Sequence, residues 1–341
     1  MSRESKTAPS AGAPAHEAAS IAVLGAGAWG TVLAHLLAEN GHLVRLWCRR
    51  PEHARAIDAD RRNEAYVPEL RLADGVRPTA RLEGATDRVD AVVVAVPSRS
   101  VPELLARVGP VPALISATKG FAGDRLTRMT ELMQASQPHA VVAALSGPNL
   151  ASEIALGLPT AATLACFDEA FARRAQAWLS RPTFRVYAST DVAGVEASGA
   201  LKNVIALAAG MLDGLALGDN AHAALLTRGL AELVRVGAAL GGEARTFYGL
   251  AGVGDLVATC GSARSRNHQV GWRIARGEAL GDVLAGGLTA EGLATVRHVV
   301  AYGEAAGLDL PISREVYRVV YEHKPAREAI EALMTRAPRG E

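Results

Sequence analysis

Cysteine is scarce in this chain of 341 residues. Cys48, Cys166 and Cys260 are odd in number and far apart. They suit neither a disulfide framework nor a zinc ligand set, and they point to a reducing compartment, the cytoplasm. The signatures H-E-x-x-H and C-x-x-C and a nucleophile elbow are missing, and the nine histidines show no ligand spacing, so no metal is expected. Excess charge is also missing. Against 36 basic side chains stand 35 acidic ones, which leaves no global field for nucleic acid or an anionic membrane. No apolar run reaches the ~18 residues that mark a membrane span. Residues 1–20 are rich in Ala, Ser and Pro without a hydrophobic stretch, and read as a disordered tail rather than a signal peptide.

Lysine is the least expected shortage. It occurs only at positions 6, 119, 202 and 324, so arginine supplies the other basic side chains. A lysine kept inside such a chain is a candidate for a group whose amine must titrate, which a guanidinium does not do.

What is present is organised around residues 21–31, Ile-Ala-Val-Leu-Gly-Ala-Gly-Ala-Trp-Gly-Thr. Four apolar residues lead into Gly25-Ala26-Gly27-Ala28-Trp29-Gly30. A helical pattern follows through Val32, Leu33, Leu36 and Leu37 to a stop at Asn40-Gly41. G-x-G-x-x-G between a strand and a helix marks a dinucleotide site. The first glycine makes the tight turn, the second leaves the backbone bare for a pyrophosphate at the helix N-terminus, and the third lets helix and strand pack closely. Residues 43–47 are the second strand. An NAD-selective site places Asp or Glu at its end, and here Arg49-Arg50 stand instead. Two guanidiniums suit a 2′-phosphate by charge and fork geometry, which favours NADP(H), with NAD(H) as the second choice. A solvated basic turn blunted by Glu52 is the competing reading. Pro51 is placed to open the next helix.

The length suggests about two domains, and 49% apolar residues suffice for two cores. Residues 63–68 read as a loop. Strands are expected over 91–96, 113–116 and 141–145, ending respectively at Pro97-Ser98, Ala117-Thr118-Lys119-Gly120 and Ser146-Gly147-Pro148-Asn149. Small and polar residues at successive strand ends fit a ligand crevice, and ordinary turn chemistry explains any one of them. After late strands over 160–165 and 184–187 the alternation stops. Helices are expected over 204–212, 221–240, 270–276, 296–306 and 314–321, which places a domain boundary near Ser189.

Three stretches carry candidate chemistry. In Gly-Ala-Leu-Lys202-Asn203-Val, Lys202 opens an otherwise apolar helix. Lost hydration tends to lower its pKa, which suits a general acid–base group, unless the side chain snorkels to the surface. Asp255 is a lone carboxylate in an apolar, glycine-rich segment over 250–260. It is either a partner for Lys202 or a helix cap. Ser265-Arg266-Asn267 is either a phosphate clamp or a surface loop. Glu291 is able to reach a ribose or an amide.

Taken in order, Gly-Ala-Gly-Ala-Trp-Gly-Thr, Ala-Thr-Lys119-Gly, Ser-Gly-Pro-Asn149, Gly-Ala-Leu-Lys202-Asn-Val, Ala-Gly-Val-Gly-Asp255-Leu, Ser-Arg266-Asn267 and Glu291-Gly resemble the bacterial NAD(P)-dependent glycerol-3-phosphate dehydrogenases. The resemblance implies an α/β Rossmann-type N-terminal domain over 21–188. It implies an all-α C-terminal domain over 189–335, like that of 6-phosphogluconate dehydrogenase. It implies a homodimer that reduces dihydroxyacetone phosphate to sn-glycerol 3-phosphate with NADPH or NADH, for phospholipid synthesis. By similarity Trp29, Arg49, Arg50, Tyr66, Lys119, Ala151, Arg266 and Glu291 stand at cofactor positions. Lys119, Gly147, Asn149, Lys202, Asp255, Ser265, Arg266 and Asn267 stand at substrate positions, with Lys202 as the acid–base lysine. Many members have Thr or Ser where this chain has Asn149. The competing functions are a reductase of another small keto acid, whose substrate carries carboxylate instead of phosphate, and a non-catalytic dinucleotide sensor, which needs no acid–base lysine.

Overall fold

The computed structural model describes residues 17–288 and 290–337. Most of the tail and Thr289 lie outside the described residues. Eight strands form the main sheet: β1 (Ser20–Leu24), β2 (Leu43–Trp47), β3 (Val76–Thr79), β4 (Ala91–Val94), β5 (Ala113–Ser116), β6 (Val141–Ser146), β7 (Thr160–Cys166) and β8 (Phe184–Ser189), in the spatial order β8-β7-β6-β5-β4-β1-β2-β3. From β3 across to β6 every pairing is parallel, β7 runs antiparallel to β6, and β8 is parallel to β7. The chain leaves β1 toward β2 and β3, then returns to the other side of β1 with β4. The reversal opens a crevice at the carboxyl ends of β1 and β4, where open α/β sheets bind ligands.

Near-continuous apolar runs build the central strands because helices cover both faces of the sheet. Ile21 and Val23 pack into one core with helix Ala28–Glu39, and Ala22 and Leu24 into another with helix Val101–Leu105. Helix Ala28–Glu39 ends as its sequence demands, at Asn40 followed by Gly41 with φ +87°. Helix Pro51–Asp60 opens on its proline.

Two expectations need correction. The segment over 63–68 belongs to a small hairpin, in which Arg62–Asn63 pairs antiparallel with Val67–Arg71 across a turn at 64–66. The helical half begins near Ser189 as expected, but its first helix starts well before the expected 204–212. A helix of 23 residues, Val192–Gly214, starts at a cap in which the Asp191 carboxylate accepts from Gly194 N at 2.8 Å. Lys202 is therefore inside a helix instead of at its start. Gly194, Glu196, Ser198 and Gly199 interrupt the apolar periodicity, and Glu196 and Gly199 do so because distant segments press on them. A Cβ at Gly199 would overlap the Ser146 hydroxyl, for example.

Around this helix pack Gly218–Ala239, Arg266–Ala275, Glu291–Ala305 and Pro311–Tyr321. By length and composition it would cross a membrane, yet all of its most apolar window is buried inside the protein. Cys48, Cys166 and Cys260 are free and buried. Burial pushes Cys48 and Cys260 up to about 12, so neither is a thiolate at neutral pH.

Candidate active site

The glycine-rich turn has the shape its sequence requires. Gly25 has φ +114°, and a Cβ there would stand 2.6 Å from the Ala95 carbonyl oxygen. A Cβ at Gly30 would overlap the Gly25 carbonyl, so this glycine lets helix and strand approach. Gly27 caps the helix begun by Ala28, and apart from its immediate chain neighbours no described atom lies within 4 Å of where its Cβ would be. The backbone there is open to a pyrophosphate. Trp29 rests against Phe184 with ring centroids 6.3 Å apart. Arg49 and Arg50 are exposed beyond β2, and Arg50 Nε lies 3.7 Å from Glu52. Tyr66 tilts against His53 at 5.8 Å.

At the far side of the crevice two lysines converge on one carboxylate. Lys119, after β5, donates to Asp255 Oδ2 at 2.6 Å and to the Gly147 carbonyl at 2.9 Å. Lys202, from the long helix, donates to Asp255 Oδ1 at 2.7 Å and also to the Thr259 hydroxyl. Asp255 is 1% exposed and Lys202 6%, so the lysine does not snorkel. A single π turn, Leu250–Gly254, delivers Asp255 to the first position of helix Asp255–Cys260. Its carboxylate serves the lysines, and Gly254 occupies the cap position. Burial pushes Lys119 down to about 8; the Asp255 charge pulls it up and the Lys202 charge pulls it down. Thr259 was not singled out from sequence. Its signal is the spacing of four from Asp255, which puts both on one helix face.

The remaining candidates surround this cluster. Ser265 caps helix Arg266–Ala275, its hydroxyl accepting from His268 N at 3.3 Å, and Arg266 is the exposed first residue. Asn267 is buried, donates to Asn203 Oδ1 at 2.9 Å and accepts from Gly292 N at 2.9 Å. Glu291 reaches across to the end of β4, taking the Ser98 N–H at 3.1 Å and the Ser98 hydroxyl at 2.5 Å. Asn149 donates to the Ala161 carbonyl at 3.1 Å, and its buried Oδ1 has no partner among the described residues. Ala151 begins a short helix after β6. Hydrogen bonds thus join Lys119, Gly147, Lys202 and Asp255 directly, whereas Arg49, Arg50 and Tyr66 sit apart beside β2. Among the described residues no group of three or more His, Cys, Asp or Glu is arranged to hold a metal ion.

Comparison with known proteins identifies the family. The family described as NAD-dependent glycerol-3-phosphate dehydrogenase N-terminus matches residues 20–172, and its C-terminus counterpart matches residues 191–331. A glycerol-3-phosphate dehydrogenase [NAD(P)+] of Thermus thermophilus is 51% identical over 94% of this chain and 99% of its own. One from Halorhodospira halophila is 44% identical over 95% and 99%. A crystal structure of glycerol-3-phosphate dehydrogenase from Coxiella burnetii superposes with a TM-score of 0.90 at 34% identity, covering 94% of this chain and 99% of that one. Matches over both halves and nearly the full length place this chain in the family of NAD(P)-dependent glycerol-3-phosphate dehydrogenases.

Proposed function

We propose that the crevice beside β1 and β4 holds the dinucleotide and that Lys202, Asp255 and Lys119 perform the chemistry beside it. As a member of its family the chain is an oxidoreductase that interconverts dihydroxyacetone phosphate and sn-glycerol 3-phosphate with NAD(P)(H). Residues 21–188 are assigned to the dinucleotide and 189–335 to the substrate.

The bare backbone at Gly27 fits a pyrophosphate, and the turn from Gly25 to Gly30 with Ala28 and Trp29 would hold it. Arg49 and Arg50 would take a 2′-phosphate, which is the ground for preferring NADP(H). Tyr66, Lys119, Ala151, Arg266 and Glu291 complete the cofactor contacts by family likeness. When bound, the nicotinamide supplies the hydride for C2 of the ketone.

Negative charge then develops on the C2 oxygen. Lys202, as an ammonium, stabilises that oxygen and gives it a proton; in the reverse direction it receives the proton. Asp255 and Thr259 hold the Lys202 amine in place, and the low exposure of the pair keeps water from screening it. Arg266 at a helix N-terminus, with Ser265 and Asn267, is assigned to the phosphate. Gly147 and Asn149 border the substrate beside Lys119. Phosphate binding at one end positions the carbonyl at the other.

The observation that carries this reading is the convergence of two amines on the buried Asp255 at one end of the dinucleotide crevice. The test is the initial rate of NADPH consumption with dihydroxyacetone phosphate, with 2-ketopantoate and NADH as controls. Turnover with dihydroxyacetone phosphate alone supports it. Turnover of the keto acid in its place, or dinucleotide binding without turnover, removes it. Family likeness also supports a homodimer, which light scattering checks, and three buried free thiols support a cytoplasmic location.

A further inference from the structure

Asn63 is fully buried at the hairpin beside the glycine-rich turn. Its Nδ2 donates to the Ala26 carbonyl at 3.0 Å and to the Thr31 hydroxyl at 2.7 Å. Both amide hydrogens are then in use. Its Oδ1 lies 2.9 Å from His53 Nε2, so His53 is the donor there and carries its proton on Nε2.

Each partner belongs to a different part of the dinucleotide crevice. Ala26 lies between Gly25 and Gly27. Across a trans peptide the carbonyl of one residue and the N–H of the next point to opposite sides. Holding the Ala26 carbonyl on Asn63 therefore turns the Gly27 N–H away from Asn63. Thr31 is on the first turns of helix Ala28–Glu39. His53 is the third residue of helix Pro51–Asp60, which starts directly after Arg49-Arg50, and its ring packs on Tyr66. One buried amide thus links the turn assigned to the pyrophosphate with the segment assigned to the adenosine end.

We infer that Asn63 is a positioning residue for the dinucleotide: it orients the Ala26–Gly27 peptide and fixes that peptide relative to His53 and Tyr66. The inference rests on the dinucleotide reading above and adds a group that acts from behind the crevice wall. Asn63→Asp preserves shape but replaces two donated hydrogens with an acceptor facing the Ala26 carbonyl.

The experiment measures dissociation constants for NADPH and NADH on the full chain by quenching of tryptophan fluorescence, together with steady-state kinetics. Asn63→Asp is expected to weaken both dinucleotides by about 10-fold or more. Turnover at saturating cofactor and the KM for dihydroxyacetone phosphate stay within about 2-fold, a split that general loss of folded protein does not produce. His53→Leu, which deletes the donor, weakens both by about 5-fold, and His53→Gln, which keeps an N–H, recovers most of the loss. Should Asn63→Asp fail to fold, the His53 pair decides. Unchanged dissociation constants in these variants, with tight binding by wild type, overturn the role of Asn63 alone. A wild-type chain that binds neither dinucleotide overturns the dinucleotide reading with it.

Discussion

Lys119 and Asp255 are 136 residues apart in sequence and 2.6 Å apart in space. Their ion pair spans the crevice between the sheet and the helices. Because burial brings Lys119 down to about 8, its charge is present below that pH and lost above it. We expect kcat/KM for dihydroxyacetone phosphate to fall as pH rises through about 8, measured from about pH 6 to about pH 10. Lys119→Arg should flatten that limb, since guanidinium stays charged. A limb that stays at about 8 in the variant would assign it to another group. The sign for stability is the reverse. Between about 8 and its ordinary 10.5 the folded chain binds fewer protons at Lys119 than the unfolded chain, so this group's contribution grows more favourable as pH rises across that window.

Lys202→Ala should lower turnover by about 10²–10⁴-fold. NADPH affinity should change little, because the amine is occupied with Asp255 and Thr259 instead of the glycine-rich turn. Single-turnover rates beside a binding titration check both halves. Near wild-type turnover would take the acid–base role from Lys202.

Replacing Arg49 and Arg50 together by Ala should weaken NADPH by about 10-fold or more while leaving NADH within about 2-fold. Both side chains are exposed, so the fold tolerates the change. Equal losses for the two cofactors would mean that the arginines do not read the 2′-phosphate.

Arg266→Ala should raise the KM for dihydroxyacetone phosphate by about 10-fold or more. Asn267, one residue on, is tied to Asn203 and Gly292, so the surrounding frame survives the substitution. An unchanged KM moves the phosphate elsewhere.

Glu196 lies on the long helix, buried against Thr130, whose N–H and hydroxyl both donate to it. Burial pushes its carboxyl from the ordinary 4.5 up to about 7, while the Thr130 hydrogen bonds and Arg128 pull it down. The folded chain therefore keeps this proton across that window when the unfolded chain has released it. The contribution is favourable at low pH and is lost as pH rises from about 4.5 to about 7. Glu196→Gln should gain on wild type by up to ~3 kcal/mol between about pH 4.5 and about pH 8, read from denaturant unfolding. A difference that stays constant with pH refutes the assignment.

The parts legible from sequence are those set by neighbours in the chain. The glycine spacing, the apolar strands and the Asn40-Gly41 stop describe local geometry. Lys202 stood out because lysine is so rare. The start of the long helix was hidden because Gly199 and Glu196 answer to Ser146 and Thr130, distant segments that impose size and polarity on a helix face. The pairing of Lys119 with Asp255 is invisible to periodicity, since it exists only after the two halves dock. Asn63 looked like ordinary loop material because its three partners lie on three other elements.

The long helix is buried at every residue from Val192 to Leu212. With no exposed turn along that length, its central amides have no route to solvent except through cooperative opening of the core, so they rank among the slowest to exchange with deuterium. The Lys202 amine, for which we propose the acid–base role, thus hangs from a helix buried along nearly its whole length. We expect the motion that admits substrate and releases product to lie in the crevice walls, with Lys202 held still.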